Sequence, residues 1–154
     1  MLARLLYSFI LLLIQPIVVL RLCYKSVKLA SYRGRMWERY GFNAPKLDQP
    51  VWIHAVSVGE AITAKPLMEY YLDQGFEVLV TTTTPTGADQ VKRMMGDRVT
   101  HRFLPQDIPW FTRRFIQQVK PRCLLIIETE LWPNLVHQCR KLAVPTVLVN
   151  GRPT

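Results

Sequence analysis

Cysteine is scarce: Cys23, Cys123 and Cys139 are odd in number and far apart, with no CxxC pair and no histidine cluster beside them. Neither a disulfide framework nor a structural zinc site is indicated, and the three read as small apolar residues of a reducing compartment. Glycine is missing where nucleotide binding would need it. No G-x-G-x-x-G and no G-x-x-x-x-G-K-[ST] occurs, so neither the dinucleotide fingerprint nor the P-loop is available. Acids are also few, 11 against 20 Lys and Arg, giving a formal net charge of +9. The excess is uneven: residues 1–40 hold seven basic residues and the single acid Glu38, whereas residues 41–154 hold thirteen and ten. A nucleic-acid footprint would lie on a folded face, so the nearly balanced globular part argues against that partner. With 154 residues, 49% hydrophobic and 20% charged, the chain is too apolar for disorder and long enough for one buried core.

The longest uncharged stretch is Leu5–Leu20, interrupted only by Ser8, Gln15 and Pro16. It is slightly short for a spanning helix, which wants about 20 apolar residues. Leu22 extends it past Arg21, whose side chain can snorkel to an interface. No A-x-A pattern follows directly, so residues 1–22 read as a retained anchor helix rather than a cleaved signal. Residues 23–44 form a basic juxtamembrane segment. Arg21, Lys25, Lys28, Arg33 and Arg35 outweigh Arg4 on the other side, which puts the globular part on the cytoplasmic face of the membrane.

Residues 45–154 alternate strand and helix. Val51–Val56, Phe76–Thr82, Val99–Phe103, Cys123–Ile127 and Thr146–Val149 read as strands. Between them, Ala64, Leu67, Met68, Tyr71 and Leu72 recur at helical spacing, with Pro66 suited to a first turn and Gly75 to a stop. Ile108, Phe111, Phe115 and Val119 form a second stripe, and Trp132, Leu135, Val136, Cys139 and Leu142 a third. The pattern predicts an α/β fold, a doubly wound, Rossmann-like parallel sheet covered on both faces. In the usual order strands one and four lie side by side, and ligands bind outside the carboxyl ends of the strands at that switch point.

Two acidic motifs follow those strands, Ser57-Val58-Gly59-Glu60 and Glu128-Thr129-Glu130. A carboxylate in a partly dry crevice near another has its pKa raised toward general-base range, and a second can offset positive charge on a reacting sugar. The competing reading is structural: an acid at a helix start accepts backbone N–H bonds. Thr84, Thr86 and Gly87 open another helix, either as a cradle for phosphate or sugar hydroxyls or as a plain cap. His54, inside a strand, reads as a hydrogen-bonded core residue, and His101 and His137 as surface residues.

Three strings carry a resemblance. Ile53-His54-Ala55-Val56-Ser57-Val58-Gly59-Glu60, Thr81-Thr82-Thr83-Thr84-Pro85-Thr86-Gly87 and Glu128-Thr129-Glu130-Leu131-Trp132-Pro133-Asn134 resemble, in order and spacing, the N-terminal half of the 3-deoxy-D-manno-octulosonic acid (Kdo) transferases. Arg39-Tyr40-Gly41-Phe42 and the apolar N-terminus look like that family too. The resemblance implies the N-terminal half of a GT-B glycosyltransferase at the inner membrane, moving Kdo from CMP-Kdo to lipid IVA in lipopolysaccharide assembly with no cofactor and no catalytic metal. It implies Glu60 as general base and Glu130 as transition-state stabiliser, with Glu128, Ser57, Gly59, Thr84, Thr86 and Gly87 as candidate substrate contacts. The family continues into a second domain that carries most donor contacts, whereas this sequence ends at Thr154, and its Asn150-Gly151-Arg152-Pro153-Thr154 departs from the family's usual Asn-Ala-Arg-Leu-Ser. The expectation is therefore that the 154 residues alone do not catalyse transfer; the alternative is a truncated, membrane-anchored remnant retaining at most acceptor-lipid binding.

Overall fold

A computed structural model describes residues 2–28, 34–128 and 131–150. Five parallel strands form one sheet: β1 (Val51–His54), β2 (Val78–Thr82), β3 (Thr100–Phe103), β4 (Cys123–Ile127) and β5 (Thr146–Val149), in the order β3-β2-β1-β4-β5. Four helices follow the first four strands in turn: α3 (Val58–Asp73), α4 (Pro85–Met95), α5 (Pro109–Val119) and α6 (Pro133–Lys141). The chain reverses its winding direction between β1 and β4, which pair with His54 opposite Ile126, so the expected switch point is present.

The short apolar runs become strands because both faces of the sheet are covered, and alternate residues divide between two cores. Val51, Ile53, Val78, Val80, Leu125 and Ile127 pack with Ala61, Ala64 and Met68 of α3 and with Val91 and Met95 of α4. Trp52, Leu79, Leu124 and Ile126 pack on the other face with Phe115, Ile116 and Val119 of α5 and with Leu135 and Cys139 of α6. Every residue of β1 and β2 is buried, which explains why these strands read as near-continuous apolar runs, with the polar His54, Thr81 and Thr82 at their carboxyl ends.

Helix α3 starts at Val58 rather than near Pro66, which lies inside it. The start is fixed by Ser57, whose side chain accepts from Glu60 N, with Glu60 three residues on; this reciprocal cap outweighs the proline's preference for a first turn. The loss of one interior N–H falls beside Ile62, a residue 51% exposed, where water can take the freed carbonyl.

The N-terminal stretch is not a single anchor helix. It forms α1 (Leu2–Leu13) and α2 (Gln15–Lys28), bent by 48°, and among the described residues no single helix is long and apolar enough to cross a membrane. Pro16 cannot return an N–H to the preceding turn, and next to that gap Gln15 Nε2 donates to Leu11 O at 3.1 Å. One face of α1 is bonded to the domain: Arg4 Nη1 donates to Asn134 Oδ1 at 2.9 Å, and Ser8 Oγ lies 3.0 Å from Asn134 Nδ2. Gln15 Nε2 also donates to Gln106 Oε1 at 2.6 Å. The opposite face, with Leu2, Leu6, Phe9 and Leu13, is 57–81% exposed.

A 3₁₀ turn at Met36–Tyr40 covers the open edge of β3. Its Glu38, paired with Arg35 at 2.9 Å, accepts from Phe103 N at 2.9 Å. Gly41 ends the turn at φ 71°, and a Cβ there would sit 2.6 Å from Phe111 O, so only glycine fits.

Candidate functional site

The site lies at the carboxyl ends of β1, β2 and β4, where the chain leaves the sheet three times. After β1, Val56 is the hub. Its N–H donates to Glu60 Oε2 at 2.7 Å, and its carbonyl lies 3.4 Å from the hydroxyls of both Thr83 and Thr84. Ser57 Oγ donates to Glu60 Oε1 at 2.8 Å, so both oxygens of this carboxylate are engaged. Glu60 is 6% exposed and belongs to the first turn of α3, where the helix dipole favours a negative charge. The structural reading of Glu60 as a capping residue is thus realised. That role leaves the remaining lone pairs of the carboxylate available to a proton donor.

Gly59 is exposed, and a Cβ there would meet only Ser57 Oγ at 4.0 Å, so nothing within the domain requires its lack of a side chain. At the second loop, Thr84 caps α4 by accepting from Gly87 N at 3.1 Å. Gly87 is crowded: a Cβ would approach Thr84 Oγ1 to 3.0 Å and Thr82 Cβ to 3.3 Å. Thr84 and Gly87 therefore form the cap that the sequence offered as one of two readings, while Thr86 exposes its residue at the helix start, with its hydroxyl 3.4 Å from Thr84 Oγ1.

Glu128 follows β4, partly buried, with its N–H donating to Val149 O at 2.8 Å. Its φ of 61° is in the left-handed region, where a non-glycine residue is strained by about 1–3 kcal/mol. Glu130 lies outside the described residues. The structure thus brings Ser57, Glu60, Thr83 and Thr84 around Val56, with Glu128 at the end of the neighbouring strand.

His54 stands behind the site as a core residue, with Nδ1 at 2.9 Å from Thr81 Oγ1 and 3.1 Å from Thr81 O. Burial pushes its pKa down to about 4. His101 is half-buried at the β3 edge rather than a plain surface residue. Its Nδ1 receives Arg35 Nη2 at 2.8 Å and its Nε2 faces Thr82 Oγ1 at 3.0 Å; burial first, then the Arg35, Arg102 and Arg39 cations, push its pKa down to about 3. Arg35 comes from a segment 66 residues away, which no local pattern reveals. His137 is half-buried on α6 rather than fully exposed.

Asp107 carries no local signal either, and Asn134 stood out only as the end of the Glu128–Asn134 string. Asp107, 4% exposed, caps α6 from a distant loop: its Oδ2 accepts from Asn134 N at 3.0 Å and its Oδ1 from Leu135 N at 2.7 Å. Burial raises its pKa above the ordinary aspartate value, and those backbone bonds oppose the rise. Asn134, so held, is the residue on which α1 docks.

Comparison with known proteins matches residues 34–154 to the family described as 3-Deoxy-D-manno-octulosonic-acid transferase (kdotransferase). A 3-deoxy-D-manno-octulosonic acid transferase from Haemophilus influenzae is 43% identical over 155 residues, covering 97% of this chain and 36% of that protein. The transferase from Bordetella pertussis is 41% identical over 137 residues, covering 80% of this chain and 32% of its own length. That from Rickettsia bellii is 32% identical over 151 residues, 96% of this chain and 36% of the relative. The chain therefore spans about a third of the length of the curated relatives it matches. On the extent of this match the chain belongs to the 3-deoxy-D-manno-octulosonic-acid transferase family.

Proposed function

We propose that this chain is the acceptor-binding, base-carrying part of a glycosyltransferase that moves Kdo from CMP-Kdo to lipid IVA. The observation that carries the reading is Glu60: a buried carboxylate at the carboxyl end of the central strand, beside β4, oriented by Val56 N–H and Ser57 Oγ. In the reaction the acceptor hydroxyl gives its proton to Glu60 as its oxygen bonds to the anomeric carbon of Kdo. The bond from that carbon to the CMP phosphate oxygen breaks, and CMP leaves with the electron pair. Two hydrogen bonds hold the carboxylate still, so no reorganisation is needed as the proton arrives. Glu130 is the partner that offsets positive charge developing on the sugar ring, and Glu128, Ser57, Gly59, Thr84, Thr86 and Gly87 line the substrate side. The donor is held mainly by the further domain expected from the family.

The same reading assigns the chain to the inner membrane with the globular part on the cytoplasmic side. α1 and α2 lie in the interface plane rather than across the bilayer: Arg4, Ser8 and Gln15 face the domain, and Leu2, Leu6, Phe9 and Leu13 face outward. Arg21 and Lys25 add about 1 kcal/mol each through anionic headgroups.

The test is Glu60→Gln in a complete transferase containing this part. General-base removal lowers transfer by ~10²–10⁴-fold. Near-normal turnover with CMP-Kdo and lipid IVA would end the assignment.

A further inference from the structure

Helix α6 opens without a cap of its own. Trp132 stands at its N-cap and offers no side-chain acceptor, and Pro133 brings no N–H. The next two N–H groups, of Asn134 and Leu135, are held from the β3–α5 loop by the two carboxylate oxygens of Asp107, at 3.0 and 2.7 Å. A serine, threonine or aspartate at position 132 would satisfy the same groups locally, without burying a charge. A buried carboxylate on another loop costs more, and what it adds is a fixed place for the start of α6 relative to the sheet.

Asn134 completes the arrangement. It is fully buried; its Oδ1 accepts from Arg4 Nη1 at 2.9 Å, and its amide hydrogens go to Ser8 Oγ at 3.0 Å and to the Asp107 carbonyl at 2.6 Å. α1, the β3–α5 loop and the start of α6 therefore meet at one buried pair of side chains. Upstream, β4 gives way to Glu128, whose N–H is held by Val149 O at 2.8 Å. Only Thr129, Glu130, Leu131 and Trp132 lie between that anchor and Pro133. Each residue spans at most about 3.3–3.6 Å, so a connection of this length passes on a displacement of either end.

We infer that Asp107 is a positioning residue for transfer: with Asn134 it clasps α1 to the start of α6, and so sets the downstream end of the stretch that carries Glu130. The inference rests on the reading of Glu130 as transition-state stabiliser given above. It gives α1 a second role, since the seating of this helix reaches the reacting sugar through Asn134. The effect falls on kcat. A carboxylate that meets positive charge only as it develops on the ring acts in the transition state and not in substrate binding, so displacing it lowers kcat and leaves KM in place.

The experiment is a double-mutant cycle in a complete transferase containing this part, with circular dichroism confirming that each variant is folded at the assay temperature. Asp107→Asn should lower kcat about tenfold, with KM for CMP-Kdo and for lipid IVA within about twofold, because misplacement on the order of 1 Å costs up to ~10²-fold. In a Glu130→Gln background the same change should cost less than about twofold, since the group to be positioned is gone. Arg4→Gln/Ser8→Ala detaches α1 but leaves both Asp107 bonds to α6. It should follow the same pattern at about threefold or more, and it carries the test should Asp107→Asn fail to fold. Equal losses in the two backgrounds would make Asp107 a stabilising cap alone and overturn the inference, as would losses carried by KM or an unchanged kcat in either folded variant. Wild-type turnover by Glu130→Gln itself would end the stabiliser reading and the clasp with it, a result distinct from equal losses on an impaired Glu130→Gln, which ends the clasp alone.

Discussion

Glu60 holds a helix start and is proposed to accept a proton, and two substitutions separate the roles. Glu60→Gln keeps the shape. Its amide oxygen can still accept from Val56 N–H, and the Ser57 hydroxyl can turn to accept from the new NH₂. What is lost is the charge: one charge-assisted bond becomes neutral, and the interaction with the α3 N-terminus disappears, together about 1–2 kcal/mol. Glu60→Ala removes both bonds and leaves Val56 N–H without its partner, for about 2–4 kcal/mol. Urea unfolding of the chain should rank wild type, Gln and Ala in that order with unchanged slope. Transfer by a complete enzyme carrying this part should not follow that ranking, because Gln and Ala both lack basicity and should both fall ~10²–10⁴-fold. An activity that tracks stability, with Gln close to wild type, would refute the base and leave Glu60 a capping residue alone.

Asp107→Asn keeps one acceptor for two α6 N–H groups and presents an NH₂ to the other, so it should lower stability by about 1–3 kcal/mol and increase proteolytic release of α1, as read by urea unfolding and limited trypsin digestion. His101 and His54 have folded pKa values of about 3 and about 4, below the ordinary 6.5. The unfolded state binds more protons in between, so stability rises with pH from about 3 to 6.5 and is fully present above that. His101→Gln should flatten the pH 4–7 slope of the urea midpoint relative to wild type; parallel slopes would contradict the buried neutral histidine. Phe115→Ala, in the core under β1 and β4, should cost about 3–5 kcal/mol by chemical denaturation. Leu6→Glu/Phe9→Glu, on the outward face of α1, should abolish co-sedimentation with anionic vesicles while leaving the unfolding midpoint within about 0.5 kcal/mol, since neither residue packs on the domain core.

The fold was legible where one local pattern decided the outcome. Cys123–Ile127 is an unbroken apolar run between Pro121 and Glu128, and it forms β4 with those bounds because a strand buried on both faces has no polar positions to blur it. The pairing of β1 with β4 followed from the handedness of crossovers. Misreadings arose where two signals competed or the partner was remote. Pro66 suggested a helix start, but the Ser57–Glu60 cap, which starts the helix at Val58 eight residues earlier, was the stronger nucleus. The Leu5–Leu20 run suggested one helix because average hydropathy is blind to the break that Gln15 and Pro16 impose. His101 turned inward because Arg35 reaches it across 66 residues, and Asp107 became the cap of α6 across 27. In the site itself, the cap at Glu60 was visible as a spacing, whereas the convergence of Thr83 and Thr84 on the Val56 carbonyl depends on neighbouring strands and has no spacing to betray it.

The docking of α1 on Asn134 links the two ends of a synthesis order. Ser8 leaves the ribosome well before Asn134, 126 residues later, which at ~5–20 residues per second is a lag on the order of ten seconds. Throughout that interval α1 has no partner for its polar face, while its leucines and Phe9 are already able to seek an apolar phase. The loop between them is 126 residues long, so its closure is among the slowest steps. Under the interfacial placement proposed for α1, a nascent chain is tethered before it is folded, and the sheet assembles beneath a helix already committed to its surroundings. Refolding from urea inverts that sequence of events, and the isolated chain then has every reason to pair its unsatisfied leucines with those of another copy before Asn134 is ready to receive Ser8.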